Sequence, residues 1–299
     1  MNYARIIAAA WELTKQTPKL TRLIFIPAFV SVVAYTARIG WQVWMYASEF
    51  GFLGARFSYS MIGDFFSLLV EKSLVLWFVN LLIVVILFTF ILPSWVNSTL
   101  YLGVQEKLET GKEGNLRKHL IDASAHFWPL FRMHAVLAPF AFMSILLWSL
   151  TLFRFVHTMV NPQLLLTIIL VYLLLCLIVM LFCIFSPLFI VYRNMDVRES
   201  ISASIRLVWI RFEQVAAMLL LMLLVHLRIF LNAAVVFALP VLLVVYVGPA
   251  AQGLVLAIAL VLGLILIGMV AWVTALVEVF QANVWMLLWR RLMVLESLN

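Results

Sequence analysis

Six stretches of this chain hold about 20 apolar residues each, the length at which a helix crosses the hydrocarbon core of a bilayer. They fall roughly at 20–37, 74–96, 133–153, 164–190, 214–239 and 252–276. Pro240 and the pair Gly248-Pro249 indicate that the fifth runs long and then turns sharply. Composition removes the alternative of a buried soluble core. Two-thirds of the 299 residues are hydrophobic and 11% are charged, whereas a soluble domain carries about a quarter charged residues to coat its surface. With mean hydropathy at +1.15, lipid must be part of the solvent. The expected fold class is therefore an all-α integral membrane protein with six transmembrane helices, a single membrane domain over 1–299.

Loop charge orients those helices, because short cytoplasmic loops carry the excess of Lys and Arg. Arg5, Lys15, Lys19 and Arg22 precede the first run, and Lys107, Lys112, Arg117, Lys118 and Arg132 lie between the second and third. Arg193, Arg198, Arg206 and Arg211 lie between the fourth and fifth, and Arg290 and Arg291 follow the sixth. Arg38, Arg56, Lys72, Arg154 and Arg228 fall on the opposite side. The alternation is complete, so both termini are expected in the cytoplasm. Residues 1–21 hold Arg5, Glu12, Lys15 and Lys19 without a continuous apolar core, which argues against a cleavable signal peptide. The net charge of +7 sits in short clusters beside apolar runs. That placement suits an anionic membrane surface and excludes a basic nucleic-acid-binding domain. The partners expected are the lipid bilayer and other membrane-protein subunits, with no nucleic acid.

The basic segments also carry helical periodicity. In 197–212, Val197, Ile201, Ile205, Val208 and Phe212 form one stripe, with Arg198, Glu199, Ser202 and Arg206 away from it. Leu116, Leu120, Phe127 and Phe131 form a similar stripe in 116–131. Near the N-terminus Arg5, Glu12, Lys15 and Lys19 share one face while Ile7, Ala10 and Trp11 occupy others. Such amphipathic helices lie in the membrane interface. They recur in register: Arg117 and Trp128 are matched 81 residues later by Arg198 and Trp209, and Arg5 and Pro27 are matched 112 residues later by Arg117 and Pro139. Three parallel repeats of interface helix plus transmembrane hairpin follow, roughly 1–104, 105–192 and 193–299, unlike inverted transporter repeats. Between the first two spans, 39–72 is rich in aromatics, among them Trp41, Trp44, Tyr46 and Tyr59. Trp and Tyr favour the headgroup level, so this stretch is expected to lie on the outer leaflet, with a lipid- or partner-binding platform as the alternative.

The segments Tyr192–Phe212 (YRNMDVRESISASIRLVWIRF) and Asn115–Arg132 (NLRKHLIDASAHFWPLFR), with the N-terminal AWELTKQTPKL, carry a resemblance. In the first, a span ends in an aromatic, then a short basic turn, then an amphipathic helix rich in Ala and Ser. The chain resembles bacterial multi-pass inner-membrane proteins that include the membrane domain fused to some glycerophosphodiester phosphodiesterases and related families. The resemblance implies a membrane module in a bacterial inner (plasma) membrane. It does not imply phosphodiesterase activity, because that chemistry resides in a separate soluble barrel.

No motif in the sequence carries a reaction. There is no Gly-rich phosphate loop, nucleophile elbow or cysteine cluster of metal spacing, so no catalytic residue, metal or cofactor is expected. His119 and His126, seven apart with Asp122 between them, could face one another around a metal. The polar side of an interface helix has the same composition, and that is the favoured reading. Cys176 and Cys183 are also seven apart in one apolar run, roughly 10 Å along a helix, too far for a disulfide. Charges within spans weigh more, because burying one unpaired costs several kcal/mol. Arg228, with His226 beside it, falls in the outer third of the bilayer, and structural roles are favoured, with Arg38 and Arg154 snorkelling to the outer surface; the alternative is an outward cavity lined by Arg228 and Arg38 that attracts an anion. Glu278 falls near the inner boundary and is expected to pair with Arg206 or Arg211. Pro27, Pro93, Pro139, Pro187 and Pro240 interrupt spans and free carbonyls for other partners.

Two functions compete on this reading. The first is a non-enzymatic accessory or assembly subunit of a larger membrane complex, suggested by the missing catalytic set and by a cytoplasmic collar of three interface helices. The second is a transporter or channel for a small anionic or lipid-like solute, suggested by the repeats, the interrupted spans and Arg228. A lipid-modifying enzyme ranks third, since the acids within spans reduce to Glu278.

Overall fold

The computed structural model describes residues 3–49, 91–140, 161–227 and 252–296, together with 144, 149 and 231. Those residues are almost wholly helical, with no strand among them. In chain order the helices are α1 (Tyr3–Lys15), α2 (Pro18–Glu49), α3 (Leu92–Thr110), α4 (Leu116–Leu137), α5 (Pro162–Cys183), α6 (Ser186–Arg193), α7 (Val197–Ile210), α8 (Phe212–Leu227) and α9 (Gln252–Glu296). A 3-10 turn over Ala138–Phe140 follows α4 at Pro139.

Local chemistry marks the helix ends. Asn115 caps α4, its side-chain oxygen accepting from the Arg117 N–H at 3.0 Å, and Asn161 caps α5 through Gln163 in the same way. Two helices end on a left-handed residue, α3 at Gly111 (φ 73°) and α6 at Asn194 (φ 51°). Gly and Asn tolerate that conformation with the least strain. Each is followed within a few residues by a basic helix, and the cap positions Asn115 and Asp196 stand 81 residues apart.

Three stretches are long and apolar enough to cross a membrane: Pro18–Ala37, Gln163–Arg193 and Val261–Val294. A fourth is the pair Val197–Ile210 and Phe212–Leu227, bent by 100°. These overlap the apolar runs 20–37, 164–190, 252–276 and the first half of 214–239. The runs 74–96 and 133–153 fall largely outside the described residues.

Exposure divides the molecule into two zones. Leu166, Leu170, Val171 and Leu174 on α5 are exposed, as are Leu220 and Leu224 on α8 and Val261, Leu264 and Met269 on α9. In water each large side chain forfeits about 1.5–3 kcal/mol of burial, and a patch this size marks a surface meant for lipid. Further along the same helices the side chains pack. Phe185, Leu188, Met218, Ala275, Val279 and Leu288 form one core with Ile6, Ala10, Ile24 and Val104. The rings of Phe185 and Trp285 meet edge to face at 6.1 Å, as do Phe189 and Trp289 at 5.8 Å. With 45 residues, α9 runs about 67 Å, twice a hydrocarbon core of about 30 Å. Its exposed first half and packed second half therefore occupy different surroundings.

The break between α5 and α6 falls at Ile184 and Phe185, just before Pro187, whose ring removes the donor that would have bonded the Cys183 carbonyl. Ser204 of α7 fills the gap, its hydroxyl donating to the Phe182 carbonyl at 2.7 Å and accepting from the Phe185 N–H at 3.2 Å. This contact changes the reading of α7. Ser200, Ser204, Leu207 and Val208 make its buried face, whereas Ile205 and Phe212 of the expected apolar stripe are exposed, together with Trp209 at 74%. Small residues let two helices approach closely, so the serines pack inward beside Leu207 and Val208 while Ile205 and Phe212 face out.

Two further expectations shift. Arg5, Glu12 and Lys15 do share the outer face of α1, but the helix ends at Lys15. Lys19 therefore belongs to α2, where its ammonium lies 3.6 Å from Glu113. The basic helix 116–131 does not stop before the next apolar run; α4 continues through Pro129 to Leu137.

Candidate polar cavity

Helices α2, α3 and α9 enclose a cavity of about 310 Å³, half open to the outside, beside the break between α5 and α6. Each contributes residues at helical spacing, one above the next on a single face. From α2 come Pro27 and Ser31; from α3, Pro93, Asn97 and Tyr101; from α9, Glu278, Gln281 and Trp285. Pro27 stands inside α2 and lacks the N–H that would have bonded the Leu23 carbonyl. Carboxyl, hydroxyl and amide groups thus gather at one place in the bundle.

Glu278 is the one residue lining the cavity that can carry a formal charge near neutral pH. Burial, with the Glu278 carboxylate adding to it, pushes the Tyr101 hydroxyl up to about 12, so Tyr101 stays neutral there. Its backbone carbonyl accepts the Tyr192 hydroxyl at 2.5 Å, which ties α3 to α6. Trp285 is 5% exposed, and its indole N–H finds no acceptor among the described residues. A buried donor left unpaired costs about 1–3 kcal/mol.

The residues singled out in the sequence are distributed otherwise. No ion pair joins Glu278 to Arg206 or Arg211 among the described residues; both arginines engage other groups. His226 is absent from the cavity wall, and its Nδ1 donates to the Met222 carbonyl one turn back at 2.7 Å. Arg228 lies outside the described residues, as does the side chain of Arg38. His119 and His126 turn to different partners. His119 Nε2 lies 2.6 Å from the Glu106 carboxylate of α3, and His126 Nε2 lies 2.7 Å from the Asn194 side-chain oxygen. Cys176 and Cys183 are both free and buried.

Asn97, Tyr101 and Gln281 escaped the sequence reading. The usable signal was spacing: Pro93, Asn97 and Tyr101 recur every fourth residue, and Gln281 and Trp285 stand three and seven after Glu278. Elsewhere a buried pair joins the chain ends, the Asn283 amide of α9 donating to the Thr14 hydroxyl of α1 at 2.9 Å.

No protein family, curated protein or solved structure matches this chain.

Proposed function

We propose that this chain is a bacterial inner-membrane protein that binds a small polar solute between α2, α3 and α9 and passes it across the bilayer. The observation that carries this reading is the cavity itself, with Ser31, Asn97, Tyr101, Glu278 and Gln281 along its wall. Interiors pack densely and a void forfeits contact energy. A bundle serving only as a docking partner has no use for a half-open polar void. The expected transporter reading thus gains over the accessory-subunit reading, with the site moved from Arg228 to Glu278.

The architecture that goes with this function is six spans in three parallel units, with both termini cytoplasmic. The 81-residue spacing of the caps at Asn115 and Asp196 supports it, as does the left-handed residue that ends the helix before each. The 100° bend between α7 and α8 supports an in-plane helix leading into a span.

Stopped-flow light scattering on proteoliposomes tests the function, with glycerol, urea, ethylammonium chloride and sodium propionate as probes. At least one probe should enter faster than into empty liposomes, and Asn97→Leu with Gln281→Leu should abolish the difference. If all four enter at the empty-liposome rate, and the purified chain carries a stoichiometric protein partner, the accessory-subunit reading replaces this one.

A further inference from the structure

We infer that the cavity beside Glu278 takes a small organic cation bearing a primary ammonium group, bound in exchange for a proton on that carboxyl. The inference rests on the solute-binding reading above and names its ligand class.

The argument begins with charge. No Lys, Arg or His lines the cavity, and no ion pair reaches Glu278 among the described residues. Among the described residues the other titratable group on the wall is Tyr101, brought by α3. A carboxylate withdrawn from water without a counter-charge costs several kcal/mol. Glu278 is half-buried in this cavity and therefore favours a proton or a positive charge from its ligand, and an anion would add repulsion to desolvation. The site thus selects against the anionic solute that Arg228 and His226 suggested.

The kind of cation follows from the wall. A metal ion is poorly matched, because Glu278 is the only His, Cys, Asp or Glu among the described residues of this wall and no three such groups gather among the described residues. A primary ammonium carries three N–H donors and no acceptor. The Glu278 carboxylate, the Tyr101 hydroxyl and the amide oxygens of Asn97 and Gln281 are acceptors for it. Trp285 adds an aromatic wall, which attracts an ammonium through its ring face and packs against an alkyl body. Binding exchanges one charge for another at a single carboxyl: the proton leaves as the ammonium enters, so the cavity stays neutral in both states.

The test uses the full chain in nanodiscs and dicyclohexylcarbodiimide, an apolar reagent that couples to protonated carboxyls. Modification of Glu278 is followed by peptide mass spectrometry. Butylammonium chloride at ten times its Kd should slow the modification about tenfold by occupancy, and the protection should weaken as pH falls, because protons compete for the same carboxyl. Sodium butyrate and butanol should not protect. Asn97→Ala should raise the butylammonium concentration needed for half-protection, read against that variant's own unprotected rate, which keeps the test independent of how Glu278→Gln folds. Protection by butyrate or butanol in place of butylammonium would overturn the cation assignment while leaving the solute-binding reading intact. Protection by none of the three, or no modification at any pH, would overturn both.

Discussion

Ser204→Ala tests the central packing argument, that a serine on the basic helix α7 repairs the break Pro187 makes between α5 and α6. The hydroxyl bonds two backbone groups, the Phe182 carbonyl at 2.7 Å and the Phe185 N–H at 3.2 Å, and Ser204 is 0% exposed. Alanine leaves both without a partner and without water. Hydrogen bonds between helices in a bilayer average about 0.6 kcal/mol each, which sets a floor near 1.2 kcal/mol for two. Taking about 1 kcal/mol per net bond and adding part of the orphan penalty gives about 3 kcal/mol. The expected loss is therefore about 1–3 kcal/mol, read as a shift in reversible unfolding by SDS in mixed micelles, followed by circular dichroism. Pro187→Ala restores a backbone donor at the break, so a double-mutant cycle should give a coupling of about 1 kcal/mol or more. A loss under about 0.5 kcal/mol with no coupling would show that the backbone closes this gap without Ser204.

Two other perturbations follow from buried polar contacts. A methyl on Gly114 would run into the Glu106 carboxylate and sit 2.5 Å from His119 Nε2; Gly114→Ala should thus cost about 1–2 kcal/mol by pushing that carboxylate off His119, and adding Glu106→Ala to the variant should cost little more. Equal stability of wild type and Gly114→Ala in the same SDS titration would refute that. Tyr101 titrates near 10 when unfolded and at about 12 in the fold, so the neutral form is favoured on folding: its contribution is full below pH 10 and is lost as pH rises toward 12. Tyr101→Phe should flatten that alkaline decline, with the unfolding midpoint measured from pH 9 to 12; a decline of unchanged slope would place the cause elsewhere.

The helices and their apolar surfaces were legible because both depend on local periodicity and length. The basic turns after α3 and α6, and the caps at Asn115 and Asp196, are likewise short-range chemistry. Which face of an amphipathic helix packs was not legible. In 197–212 the large apolar stripe outweighs Ser200 and Ser204 in any periodicity argument, yet the serines face the bundle because small side chains let backbones approach. Where α1 ends escaped for a related reason: Arg5, Glu12, Lys15 and Lys19 keep helical spacing across the break at Gln16 and Thr17.

The site divides in the same way. Glu278 stood out by itself, since an acid beside the last apolar run is conspicuous in a chain with 13 acidic residues. Its surroundings did not, because Ser31, Asn97 and Tyr101 lie some 180 to 250 positions away in sequence and meet it only when α2 and α3 pack on α9. The sequence by itself determined that the chain is helical and apolar enough to live in lipid, because bilayer thickness and helical period act on neighbouring residues. Only the tertiary structure decided that Glu278 faces a polar cavity with no ion pair among the described residues, because a half-buried carboxylate takes its partners from whatever distant helices the packing brings alongside it.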